Sequence, residues 1–139
     1  MKYLLDTCIL SELIKKNPSN TLINWLSAQD ESRLFISVLT IGEIHKGIEK
    51  LPDSAKKNTL HHWVNHDLKE RFYNRILDLD LQTATTWGRI QASSEIQGRS
   101  MPVIDGLIAA TGIRYDLTVV TGNIKDMQIS GVSLLNPWG

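Results

Sequence analysis

The stretch Tyr3-Leu4-Leu5-Asp6-Thr7 sets three largely apolar residues directly before a carboxylate and a hydroxyl. So short an apolar run, closed by two residues that favour helix caps, predicts a buried strand leading into a helix from Cys8 to Lys15. The unit repeats along the chain. Leu34-Phe35-Ile36-Ser37 predicts a second strand, followed by a helix from Val38 to Leu51 with Ile41, Ile44, Ile48 and Leu51 in one apolar stripe and Glu43 beside it. Helices are also predicted for Thr21 to Ala28, from Asp53-Ser54 to about Phe72, for Leu81 to Gln97, and from Pro102 to about Tyr115. In the Leu81 helix, Asp80 is the cap and Leu81, Ala84, Trp87 and Ile90 form the inner face. Ile76-Leu77, Leu117 to Thr121 and Val132 to Leu135 supply further short strands. Strands alternating with helices predict an α/β sandwich around a mainly parallel sheet.

The 139 residues, taken as one domain over 1–139, are enough for a sizeable core. A formal net charge of zero means that any contact with nucleic acid must come from local patches or a metal at the site, because there is no basic surplus to hold it. The single Cys8 excludes an internal disulfide and a thiolate cluster. No uninterrupted apolar stretch is long enough to span a bilayer, so a cytoplasmic location is expected.

Four acidic segments carry the chemistry: Asp6 after the first strand, Glu43 one turn into its helix, Asp105 in the first turn of another, and Asp126 in the polar turn after Thr121. A carboxylate beside apolar residues is expensive unless a cation compensates it. Oxygen-only ligands suit magnesium or manganese, whose commonest biochemical partner is a phosphate ester. In an open parallel sheet ligands bind beyond the carboxyl ends of the strands, which sends Asp6 and the Thr121–Asp126 turn to one edge. Thr7 or Thr121 would then hydrogen-bond a ligand carboxylate. Singly, each acid has an ordinary reading as a cap, a dipole partner or, for Glu43, a helical pair with Lys46. Jointly they predict a metal site. His62 and His66 share a helix face, but no Glu follows His62 as a zinc protease motif requires, so both are read as surface residues. Cys8 is read as a small core residue.

Leu4-Leu5-Asp6-Thr7 with Ser11-Glu12, Thr40-Ile41-Gly42-Glu43-Ile44 with Gly47-Ile48, Asp105-Gly106-Leu107-Ile108-Ala109-Ala110-Thr111, and Thr121-Gly122-Asn123 with Asp126 resemble the successive motifs of PIN-domain ribonucleases in order and context. Asp80 with Trp87-Gly88-Arg89-Ile90, and the closing Asn136-Pro137-Trp138, resemble the bacterial VapC and FitB branch. The resemblance implies a three-layer α/β/α sandwich and an endoribonuclease dependent on Mg(2+), with Mn(2+) an alternative, that cleaves structured RNA. It further implies the toxin of a toxin–antitoxin pair, silenced by a small VapB-like antitoxin and assembled as a homodimer or heterotetramer. Asp6, Glu43 and Asp105 match the acidic core residue by residue, Asp126 supplies the fourth acid and Asn123 a supporting polar group. Two readings compete: a PIN-like binding module without catalysis, and a structure-specific DNA nuclease. A phosphotransferase with Asp6 as nucleophile is disfavoured, because Cys8 stands where such enzymes need a second Asp.

Overall fold

A computed structural model describes all of residues 1–139. Five short parallel strands, β1 (Tyr3–Leu5), β2 (Leu34–Ser37), β3 (Ile76–Leu77), β4 (Thr118–Val120) and β5 (Leu134–Leu135), lie in the order β3-β2-β1-β4-β5. In the central strand, Leu4 faces Val119 and Leu5 faces Val120 across the β1–β4 pairing. Successive side chains on a strand point to opposite faces, so one residue step assigns Leu4 and Val119 to one core and Leu5 and Val120 to the other. Leu5 and Val120 pack with Ile36 under α1 (Thr7–Leu13), α2 (Asn20–Ser27), α3 (Val38–Glu49) and the segment bearing Val64, Leu68 and Phe72. Leu4 and Val119 pack on the other side with Ile108 and Ala109 of α7 (Val103–Tyr115), and Met127 of α8 (Ile124–Met127) joins them. The result is the expected three-layer α/β/α sandwich, with every strand parallel.

Several elements depart from the sequence expectation for identifiable reasons. The first helix starts at Thr7, one residue early, because the Asp6 side chain accepts the Thr7 N–H at its start. The long helix expected from Asp53-Ser54 to Phe72 is broken into α4 (Ala55–His62), a wide π turn (Trp63–Asp67) and α5 (Leu68–Arg71). Leu60, Val64, Leu68 and Phe72 recur every four residues, a spacing that runs ahead of the 3.6-residue turn, and the wide turn offsets the drift. In α6 (Leu81–Ile96), Thr83, Gln91 and Ser94 are buried, whereas Leu81 is 82% exposed and Ala84 is also exposed. Asp80 accepts both the backbone N–H and the hydroxyl of Thr83, which turns Thr83 inward in place of Leu81. Trp87 and Ile90 keep partly buried positions. No helix is long and apolar enough to cross a membrane.

Small residues set how closely α7 approaches the sheet. A Cβ on Gly112 would lie 2.8 Å from Val119 Cγ2, 2.9 Å from Val132 Cγ2 and 3.2 Å from the Leu117 carbonyl oxygen, none of which can swing aside. Gly47, by contrast, faces open space. Gly112→Ala is therefore expected to lower unfolding free energy by about 1–3 kcal/mol. Gly47→Ala should leave it unchanged or raise it by up to about 1 kcal/mol through helix propensity. Urea denaturation of the two variants checks this, and equal shifts in the same direction would contradict it.

Candidate active site

Because β1 is flanked by β2 on one side and β4 on the other, the chain leaves the sheet centre in opposite directions, and the crevice opens between the carboxyl ends of β1 and β4. Asp6 and Thr121 are the residues that immediately follow those strands. The Asp6 N–H donates to the Val120 carbonyl at 3.0 Å, which extends the β1–β4 ladder by one residue and fixes the start of the acidic side chain. Asp6 Oδ1 accepts the Thr7 N–H at 2.8 Å, and Asp6 Oδ2 accepts the Thr121 hydroxyl at 2.8 Å. Thr121 in turn accepts the Asn123 N–H at 3.0 Å, so the turn after β4 is tied to the acid after β1. Both Asp6 and Thr121 are buried.

A second hydroxyl holds the second acid. Thr7 Oγ1 donates to Glu43 Oε1 at 2.5 Å and lies 3.3 Å from Thr40 Oγ1, which joins the first turn of α1 to the first half of α3. Asp105 lies in the first turn of α7, where the helix dipole favours an anion. Its neighbour Gly106 permits a close approach of α6: a Cβ there would meet Gln91 Oε1 at 2.7 Å and Trp87 Nε1 at 3.2 Å. Gln91 Nε2 donates to the Met101 carbonyl at 2.9 Å, just ahead of that helix. Asp126 stands on α8 and is exposed, and Asn123 forms the cap of the same helix.

The electrostatics show that three of the acids act on the fourth, Asp105. Partial burial of Asp105, followed by the negative charges of Asp6, Asp126 and Glu43 in that order, pushes its carboxyl up from the usual range to about 6. None of the ion pairs in the protein involves any of these four residues; the arginines and lysines pair with Glu12, Glu31, Asp53 and Asp80. Uncompensated negative charge from all-oxygen donors fits a hard dication in both charge and ligand type. As the side chains stand, no three carboxylate, imidazole or thiol groups close on one point as a finished coordination shell. The charges of Asp6, Glu43 and Asp126 are all felt at Asp105, with Asp6 and Glu43 held by hydrogen bonds and Asp126 exposed. The His62 and His66 rings lie 4.6 Å apart on the surface and take no part in this cluster.

Several site neighbours carry no sequence signal of their own. Thr40 is a buried residue within a helical stripe, and only its contact with Thr7 reveals its place. Cys8 packs at the edge of the first core and also reaches the site: its Sγ lies 3.8 Å from Asp6 Oδ2 and 3.7 Å from Thr121 Oγ1, and burial, together with the Asp6 charge, raises its pKa. Glu12, part of the first motif, stays outside the cluster and accepts from Lys15 Nζ at 2.9 Å and the Ser19 N–H at 3.0 Å. Asp80 is the α6 cap foreseen, and it also meets Tyr115 and Arg114 of α7.

A profile of the PIN domain matches residues 3–127, and the chain belongs to the PIN-domain family. Toxin FitB of Neisseria gonorrhoeae is 30% identical over 135 residues, covering 97% of each chain. VapC ribonuclease Y4jK of Sinorhizobium fredii is 26% identical over 134 residues, covering 96% of each. The structure of FitAB bound to the IR36 DNA fragment contains a chain that superposes with a TM-score of 0.93 at 29% identity, over 99% of this chain and 96% of the other.

The raised Asp105 carboxyl has a consequence for stability. A carboxyl held above its unfolded value favours the protonated folded state, so ionisation opposes folding more and more as pH rises from about 4 through about 6. In metal-free protein, Asp105→Asn is therefore expected to raise Tm at pH 8 and to leave it unchanged near pH 3. Thermal melts in EDTA test this, and an equal Tm for both proteins at pH 8 would contradict it.

Proposed function

We propose that this chain is a metal-dependent endoribonuclease that cleaves structured RNA and serves as the toxin of a toxin–antitoxin pair. The observation that carries the reading is the set Asp6, Glu43, Asp105 and Asp126, drawn from the end of β1 and from α3, α7 and α8, whose charges meet at Asp105 near the carboxyl edge of the sheet. Kinship with a VapC ribonuclease and with the toxin FitB supports the activity and the biological role. Asp6 and Asp105 would hold Mg(2+) or Mn(2+), with Asp126 an outer ligand. Bound there, such an ion would supply Lewis acidity to the scissile phosphate ester and its leaving oxygen.

The residues of the chain do the positioning. The Thr121 hydroxyl and the Cys8 thiol both donate to Asp6 Oδ2, and the Thr7 N–H fixes Oδ1, leaving Oδ1 a second lone pair for a ligand. Thr7 occupies Glu43 Oε1, so Glu43 Oε2 is the oxygen available to orient a water or accept its proton. Asn123 supports the turn that leads to Asp126. No side-chain nucleophile is required.

Retention of all four acids favours cleavage over a purely binding role. A small VapB-like antitoxin is the proposed partner, in a homodimer or heterotetramer, on the strength of the likeness to a chain of the FitAB complex. The groove of about 580 Å³ lined by Ile14, Leu60, His62 and Trp63 is a surface of suitable apolar character for it.

Sequencing the RNA ends produced on induced expression tests the reading. Wild type is expected to generate discrete new ends, and Asp6→Asn to reduce them at least about 100-fold, the order lost when one charge-stabilising group leaves an active site. Identical ends from both proteins would reject the assignment of Asp6, and no new ends from wild type would reject the nuclease.

A further inference from the structure

Beside the acids lies a cleft of about 580 Å³ that the chemistry above enters only through Asp126 and Asn123, lined by these two with Lys125, Gln128 and Asn136. Its walls follow two neighbouring strands. Asn123 to Gln128 come after β4, and Asn136 comes directly after β5, so the cleft opens at the same carboxyl edge as Asp6. Two links join it to the acidic centre: Asp126 belongs to both, and the Asn123 N–H is bonded to the Thr121 hydroxyl that holds Asp6.

We propose that this cleft is a nucleobase subsite, which receives the base of a nucleotide flanking the scissile phosphate and gives the nuclease a sequence preference at that position; the proposal rests on the nuclease reading above. The lining carries one cation, Lys125, and one carboxylate, Asp126, so it has no surplus of positive charge to favour a phosphate over a base. What it offers is hydrogen bonding. Asn123, Gln128 and Asn136 are carboxamides, the side chains that present donor and acceptor together and pair with base edges. Asn136 is set in advance: its Oδ1 accepts the Trp138 N–H at 2.9 Å, which leaves its Nδ2 as a donor. Gly122 helps hold that turn, since a Cβ there would lie 3.3 Å from the Trp138 ring. The volume lies within the roughly 300–1,000 Å³ of sites that enclose small ligands, enough for a base with its sugar. Unstacked bases read on their edges are the usual means of sequence recognition in single-stranded RNA.

The test measures binding and cleavage separately. Asp105→Asn protein, with Mg(2+) present, is titrated against fluorescein-labelled tetranucleotides of U, C, A and G, and affinity is read by anisotropy. The four are expected to spread by at least about tenfold, the discrimination of one good base contact. Gln128→Ala or Asn136→Ala on that background should shrink the spread below about twofold. Gln128 is exposed, so its loss leaves the fold intact and keeps the test valid if Asn136→Ala destabilises the terminal turn. A spread that survives both substitutions, or is under twofold from the start, overturns the subsite. Cleavage of total RNA by the wild-type protein is scored apart from this. Cleavage without discrimination rejects the subsite alone; discrimination without cleavage rejects the nuclease and leaves a base-binding cleft.

Discussion

The hydrogen bond from the Thr121 hydroxyl to Asp6 Oδ2, 2.8 Å long and buried, is the constraint on which the site depends. It crosses the point where the sheet changes winding direction, and it fixes an anionic side chain that would otherwise be free to turn toward solvent. Asp6 uses its other oxygen to begin α1, so one carboxylate both starts a helix and faces the crevice. That helix places Thr7 one residue on, where it takes hold of Glu43 on α3. Two hydroxyls, each next to a strand end, thus align two acids contributed by elements far apart in sequence.

Asp105 shows the opposite treatment. It has no hydroxyl to hold it, it is half-buried, and its surroundings work against its charge. A fold selected for stability alone would place a neutral residue there. The cradle beneath it is nonetheless close-fitting, because Gly106 admits Gln91 and Trp87 of α6 into direct contact with α7. The site is thus rigid where the geometry is set and electrostatically strained where a cation would relieve it, the pairing expected where folding stability is exchanged for chemistry.

The parts of this arrangement legible in sequence are those encoded locally. Leu4 and Leu5 before Asp6, the β-branched run before Thr121, and Asp105 just after Pro102 each identify an element and its end within a few residues. Their convergence follows from one topological rule about parallel sheets. What escaped is encoded between elements. The periodicity of Leu60, Val64, Leu68 and Phe72 reads as one helix, and only the shared core reveals that a wide turn keeps the stripe in line. Leu81 looks like an inner residue because apolar character is its only local signal, while the cap that rotates it outward depends on Asp80 and Thr83 together. Thr40 meets Thr7 across 33 residues, Cys8 meets Thr121 across 113 as well as its neighbour Asp6, and Gln91 of α6 meets Gly106 of α7, contacts that no local pattern announces.

The central claim is that these carboxylates jointly bind a dication. Calorimetric titration of antitoxin-free protein with manganese chloride near neutral pH is its most direct test. Saturable binding that weakens at least about tenfold in Asp6→Asn, as expected when an inner charged ligand is removed, is the predicted result. No measurable uptake by the wild-type protein, or an affinity that Asp6→Asn leaves unchanged, would contradict the account.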